Sequence, residues 1–355
     1  MSLIQDVAGG GVPDPVPGPP PLSRKEKGSR GLSPGAYFAL RKTGAALGTL
    51  LFVLVVNFFL FRMLPGDPIG MYTRGRNVPA EQLAALRAEL DRPILGQFLS
   101  YLRNPFSSTI DSAQFNRPVW ELVTERIWPT LLLVGTAIVL ASIIGVWIGI
   151  KAGWRRGKRF DKVSTGVTLT LYSMPEFWLG MILLIVFGVG AFGFPGIFPI
   201  GGISTPGVDT SSPAGWLDVA WHMVLPVTTL TLVYLAEYAL VMRSSLVDEM
   251  DEDYLTTARA KGLMDRYVRR RHAVPNAMLP TITLIFLNLG FTVSGAITVE
   301  TVFSWPGLGL LSYEALRGPD VALLQAIFLL FSIGVVLANL VADLLYAVID
   351  PRVRS

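Results

Sequence analysis

Asp253-Tyr-Leu-Thr-Thr-Ala-Arg-Ala-Lys-Gly262 is a short polar segment set between two long apolar ones. Asp253 suits a helix N-cap, and Gly262 suits a helix stop because glycine takes the left-handed C′ conformation without a Cβ clash. Tyr254 and Ala258 stand four apart with Leu255 beside them, so a helix of about three turns would carry a narrow apolar stripe. A helix this short is marginal in water and must dock. The spacing leaves two docking surfaces open: the chain's own membrane domain, or a partner.

The flanking segments set the fold class. Of 355 residues, 51% are hydrophobic and 16% charged, against about 25% charged in an average soluble domain. Apolar stretches run over about 44–64, 131–150, 163–194, 223–242, 277–299 and 321–349, each reaching the roughly 20 residues that span a bilayer core. The expected fold is therefore an all-α polytopic membrane protein with six transmembrane helices and both termini on one side. Basic residues choose the side. Arg41 and Lys42 precede the first span, a cluster from Lys151 to Lys162 follows the second, and Arg243 to Arg271 follows the fourth. The third and fifth connections hold only Arg317. Positive charge stays inside, so both termini and the 253–262 helix are expected in the cytoplasm.

Five regions follow. Residues 1–36 form a Pro-rich and basic tail, expected to be disordered and cytoplasmic. Residues 37–64 form the first span. Residues 65–126 form a helical extracytoplasmic cap, with an amphipathic helix through Leu83, Leu86 and Leu90 and a second short helix over 96–102. Residues 127–350 hold the other five spans and a cytoplasmic loop, 244–275, and 351–355 close the chain. The turn Phe303-Ser-Trp-Pro-Gly-Leu-Gly309 carries an aromatic anchor suited to the membrane interface or to a lid.

Catalytic signatures do not emerge. The chain has no cysteine and two distant histidines, His222 and His272, which argues against a metal site. No G-x-x-x-x-G-K-[ST] occurs, so no P-loop binds nucleotide here. Three carboxylates do lie inside the spans: Glu176, Glu237 and Asp343. A charge at a helix centre costs about 2.5–3.5 kcal/mol on insertion scales, so these groups face protein or water. Glu176 lies deep, beside Pro175, which should kink its helix. That combination suits a translocation path, and equally a neutral or paired Glu at a helix contact. Glu237 and Asp343 suit structural pairing.

Together these stretches resemble the inner-membrane permease subunits of ABC importers, in the oligopeptide/dipeptide/nickel group, and most of all the longer of its two permease types. Leu64-Pro-Gly-Asp-Pro68, Arg87-Ala-Glu-Leu90 with Asp91-Arg-Pro-Ile-Leu95, and Asp253 to Leu263 with Arg271-His-Ala, Asn276-Ala and Leu279-Pro280 carry the resemblance. Glu300-Thr-Val-Phe-Ser-Trp-Pro-Gly-Leu-Gly309 and Asp343 to Arg352 complete it. Pro275 departs from the family pattern and bears on where the fifth helix begins. The loop is similar to the E-A-A-x-x-x-G motif, with Thr256 and Thr257 in place of its first two residues and Ala258 and Gly262 matching.

The resemblance implies a type I importer fold in the cytoplasmic membrane of a bacterium or archaeon. It implies a homologous second permease, two ATPase subunits (or one fused ATPase) and an extracytoplasmic substrate-binding protein, with membrane lipid around the chain and no nucleic acid. ATP and Mg would sit on the ATPase subunits and no cofactor on this chain. Asp253, Tyr254, Leu255, Ala258, Arg259 and Gly262 would form the ATPase-coupling helix, with Tyr254, Leu255 and Ala258 inserted into a cleft. Peptides are the expected cargo; nickel, opines or oligosaccharides would use the same machinery. A secondary transporter fits six spans and a buried Glu but leaves the loop unexplained and lacks an evident internal repeat. A membrane-bound scaffold or sensor leaves the mid-span carboxylate unexplained.

Overall fold

The computed structural model describes residues 34–63, 68–73, 80–103, 111–292 and 296–349. The Pro-rich tail, most of the Leu64-to-Pro68 turn and the chain end from 350 lie outside the described residues. Among the described residues the regular elements are all helices, and one isolated antiparallel bridge joins Asp111 to Pro118. Among the described residues, four helices are long and apolar enough to cross a membrane, or up to six if each of two bent helix pairs counts as one span.

The first long helix, α1 (Pro34–Arg62), packs along the last one, Val321–Ile349. Asn57 donates to the Gln325 carbonyl at 3.4 Å, and Lys42 meets Asp343 at 2.9 Å. The paired reading of Asp343 therefore holds. The cap region contributes α2 (Pro68–Thr73), α3 (Ala80–Leu90) and α4 (Ile94–Arg103). The last two match the two short helices expected there. Phe58 packs on Phe98 and Tyr101, so the second cap helix leans on α1.

The core is a pair of helices, α5 (Val119–Trp154) and the one at Pro213–Met250, whose contact is the largest in the molecule. Gly145, Gly149 and Gly153 make it possible. They recur every four residues and so share one face. A Cβ on Gly145 would lie 2.8 Å from the Leu235 carbonyl oxygen, and one on Gly149 would lie 2.6 Å from the Met242 Cβ. The opposing helix is capped by Ser212, whose hydroxyl accepts from the Gly215 N–H at 3.1 Å, with Pro213 in its first turn.

The expected third span is not one helix. It divides into α6 (Arg159–Ser173) and α7 (Glu176–Leu183), the latter continuing as a π-helix over Leu184–Gly190, and the two parts meet at 102°. Pro175 is the reason. The residue before a proline is pushed out of the α region, and Met174 is extended at φ −84, ψ 132. What was expected as a kink is a corner.

The helix Pro213–Met250, α8, leads into α9 (Asp253–Ala260) and α10 (Asp265–Val268). A π turn, Arg269–Ala273, then joins α11 (Val274–Ala277) and α12 (Leu279–Phe291). Asp265–Ala277 and Leu279–Gly290 form the second bent pair, at 46°. The fifth span thus starts before 277 and ends before 299, because Ile297–Val302 is a separate short helix, α13. Pro275 has no N–H for the carbonyl four residues back, which fits the widened turn just before it. The chain closes with α14 (Leu308–Arg317) and the helix Val321–Ile349, α15.

Candidate functional site

The polar loop folds as a helix with a sharp stop. Gly262 takes φ +79. The Leu263 N–H reaches the Ala258 carbonyl at 3.3 Å and the Gly262 N–H reaches the Arg259 carbonyl at 2.9 Å, the bond pair of a Schellman motif. The start differs from expectation. Glu252 is the N-cap residue and makes no side-chain capping bond, while Asp253 is the first helical residue. There its charge still faces the positive end of the helix.

Two of the three side chains of the apolar stripe face inward, and Tyr254 stays at the surface. Leu255 is fully buried and Ala258 nearly so, in one cluster with Met242, Leu246, Val268, Ala273 and Ala277. Of the two surfaces open to this helix, these two side chains pack on the chain's own. Tyr254 reinforces the seat. Its hydroxyl donates to the Glu249 carboxylate and accepts from Asn276 Nδ2 at 2.9 Å. Burial, followed by the adjacent Glu249 carboxylate, pushes its phenol up to about 12. Arg259 lies 3.7 Å from Asp265. The outward rim consists of Thr256, Thr257, Leu263 and Met264, with Met264 77% exposed.

A second clamp holds this end of the molecule. Asp161 on α6 accepts from Arg243 on α8 through both carboxylate oxygens, at 2.5 and 2.9 Å, and from the Gly157 N–H at 2.8 Å. Gly157 sits at φ +79, so the tight turn between α5 and α6 also aims its amide at Asp161.

Glu176 stands in the first turn of α7, at the corner, and is half-buried. Thr298 lies 3.4 Å from its Oε2. Tyr234 is within electrostatic reach of both Glu176 and Glu237. Tyr234 and Tyr238 stack at 6.4 Å, and Asn288 on α12 donates to Glu237 and to the Tyr238 hydroxyl, each at 3.1 Å. A polar and aromatic lane thus runs from the α6–α7 corner along α8. Glu237 is paired, as expected. Pro175 caps α7 and shapes the corner beside Glu176.

Besides Asp161, two further buried carboxylates went unassigned in the sequence reading. Glu300 is fully buried and accepts from Thr130 at 2.8 Å and from the Leu310 N–H at 3.0 Å. The Thr130 hydroxyl in turn accepts from the Leu308 N–H at 2.7 Å, and Trp305 Nε1 donates to the Pro129 carbonyl at 2.9 Å. Gly307 and Gly309 pass so close to Glu300 that a Cβ on either would collide with its carboxylate. Trp305 is consequently a core residue, and its expected role as an interface or lid anchor is corrected. Asp320 accepts from Ser112 at 2.6 Å and from the Gln114 and Leu323 N–H groups at 3.1 Å, joining the end of the cap to the start of α15. The signal for Glu300 was its place before a Trp-Pro-Gly turn, since a buried acid needs the free amides such a turn supplies.

Two family models match. Residues 118–355 match the binding-protein-dependent transport system inner membrane component, and residues 36–120 match the N-terminal region of the corresponding membrane component. The chain is 36% identical over 337 residues to the dipeptide transport system permease protein DppB of Escherichia coli (strain K12), covering 89% of this chain and 98% of that one. It is 36% identical over 320 residues to the glutathione transport system permease protein GsiC of Salmonella typhi, with the same coverage. With a match across the paired core, the loop and the Glu300 turn, the chain belongs to the family of inner membrane components of binding-protein-dependent transport systems.

Proposed function

We propose that this chain forms half of the translocation pore of an ATP-driven importer for oligopeptides or dipeptides. The observation that carries the reading is the similarity, over nearly the whole length of both chains, to permeases named for dipeptide and glutathione transport. A homologous second permease forms the other half. Two ATPase subunits, or one fused ATPase, bind ATP and Mg, and an extracytoplasmic binding protein delivers the cargo. Both termini and the α9 loop lie in the cytoplasm, in keeping with the basic residues that crowd that end.

In this reading α9 transmits ATPase closure, with its roles divided. Leu255, Ala258 and the Tyr254 hydroxyl fasten the helix to α8 and α11, so a push on it moves the membrane helices. Thr256, Thr257, Leu263 and Met264, with the exposed parts of Asp253 and Arg259, meet the ATPase. Gly262 ends the helix so that the chain turns back toward the membrane. Closure then rocks α8 and its neighbours between inward- and outward-facing states. The lane from Glu176 to Asn288 lines the path. Its carboxylates suit a peptide's amino terminus, and its hydroxyl and amide groups suit peptide bonds.

The test is uptake by proteoliposomes that hold the assembled complex. Labelled dipeptide should accumulate only with ATP on the ATPase side and binding protein on the other. Glu176→Gln should alter the transport rate while the complex still assembles. Accumulation driven by an ion gradient without ATP would make the chain a secondary transporter, and an unassembled Glu176→Gln complex would make that carboxylate a structural contact.

A further inference from the structure

A cavity of about 550 Å³ opens between the end of α5 and the segment from α10 to α11. Lys151, Arg155, Arg266, Arg269 and Arg270 line it together with Trp147 and Trp154. Five cations converge without a carboxylate among them. Among the described residues the ion pairs nearby are Arg156–Asp251, Arg243–Asp161 and Arg259–Asp265, and none of the five takes part. Like charges held together repel, so an unfilled site of this kind favours an anion.

The walls narrow the class of anion. Lys151 Nζ stands 4.6 Å from the Trp147 ring centroid and 4.4 Å from that of Phe160, and the Arg269 guanidinium stands 5.7 Å from that of Trp154. The rings hold the cations in place at the mouth. Below the mouth, Leu140, Ile143, Ile144 and Trp147 are exposed. Their spacing places them on one face of α5, and the next position on that face is Lys151. An apolar stripe about 11 Å long therefore ends in a cationic pocket. A free anion would use the pocket alone. An amphiphile with an anionic head and an apolar tail uses both.

We propose that this cavity binds the phosphate headgroup of an anionic phospholipid, with the acyl chain lying along the α5 stripe. Tryptophans at the boundary and unpaired Lys and Arg just beyond it are the elements such headgroups meet at membrane surfaces. The site holds the end of α5 and the π turn after α10, on either side of α9, to one lipid. It is separate from the lane that contains Glu176 and does not depend on the cargo.

The assembled complex is placed in phosphatidylcholine nanodiscs containing a small fraction of brominated phosphatidylglycerol or brominated phosphatidylcholine. Tryptophan quenching is read, and the Trp147→Phe/Trp154→Phe variant assigns the cavity signal. Brominated phosphatidylglycerol should quench that signal at a lower mole fraction than its neutral counterpart. Lys151→Gln/Arg269→Gln/Arg270→Gln should raise the half-quenching fraction on the order of 100-fold. If that variant fails to assemble, Arg155→Gln/Arg266→Gln on the exposed rim should raise it about tenfold or more. Inorganic phosphate should leave the quenching in place. Equal quenching by both lipids, unchanged quenching in the variants, or full displacement by inorganic phosphate would overturn the proposal. So would quenching seen in the isolated chain but abolished when the ATPase subunits join, which would assign the cavity to a protein interface.

Discussion

Ala258 is small because two elements meet over it. It sits in the cluster that binds α9 to Met242, Leu246 and Val268. Ala258→Leu overpacks that seat and should cost about 1–3 kcal/mol of stability. The expected result is lower membrane abundance of the chain expressed alone, measured by quantitative blotting. A loss of coupling at normal abundance would place Ala258 at the ATPase instead. Glu300 is the second residue of this kind. Its two oxygens receive separate donors, so Glu300→Gln turns an amide N–H toward a donor whichever way it is flipped. Leaving a buried donor unsatisfied costs about 1–3 kcal/mol. The midpoint of detergent-induced unfolding should fall accordingly, and Thr130→Ala should be sub-additive with it, because both changes dismantle one network.

At the scale of elements, the α5–α8 pair determines the rest. Gly145, Gly149 and Gly153 let the two backbones approach, and in an apolar environment close packing is what drives helix association. Gly149→Leu puts four carbons where a single Cβ already lies 2.6 Å from Met242. The pair must separate, and the chain should fail to accumulate in the membrane, whereas Gly135→Leu on the same helix, with open space around it, should accumulate normally. Pulse-labelled membrane fractions distinguish the two. These glycines went unremarked in the sequence, although they stand four apart in an apolar run. Four of the spans were legible because length and hydropathy suffice to locate an unbroken helix. The corner at Met174–Pro175 was legible only as a kink. Proline fixes where a helix breaks, but neighbouring helices fix the angle. The inward face of α9 was not legible at all: a stripe of Tyr254, Leu255 and Ala258 is equally apolar whichever surface it meets, and only the position of Val268 and Ala273 beside it settles the direction.

Across the whole molecule, buried carboxylates act as fasteners between distant parts of the chain. Asp320 joins cap to last helix, Glu300 joins α5 to the first turn of α14, and Asp161 joins α6 to α8. The basic end carries the α9 loop and the unpaired cation pocket, while the polar lane begins at the α6–α7 corner. Under the proposed function the two sides of α9 have separate jobs: the inner side grips the membrane helices, and the outer rim receives force. The most direct test uses the absence of native cysteine. A thiol-directed photocrosslinker is attached to Met264→Cys or Leu255→Cys in the assembled complex. Met264→Cys should crosslink to the ATPase subunit and lose binding-protein-stimulated ATP hydrolysis, while Leu255→Cys should stay unlabelled until the chain is unfolded. Crosslinking of Leu255→Cys to the ATPase, with Met264→Cys silent, would contradict the account.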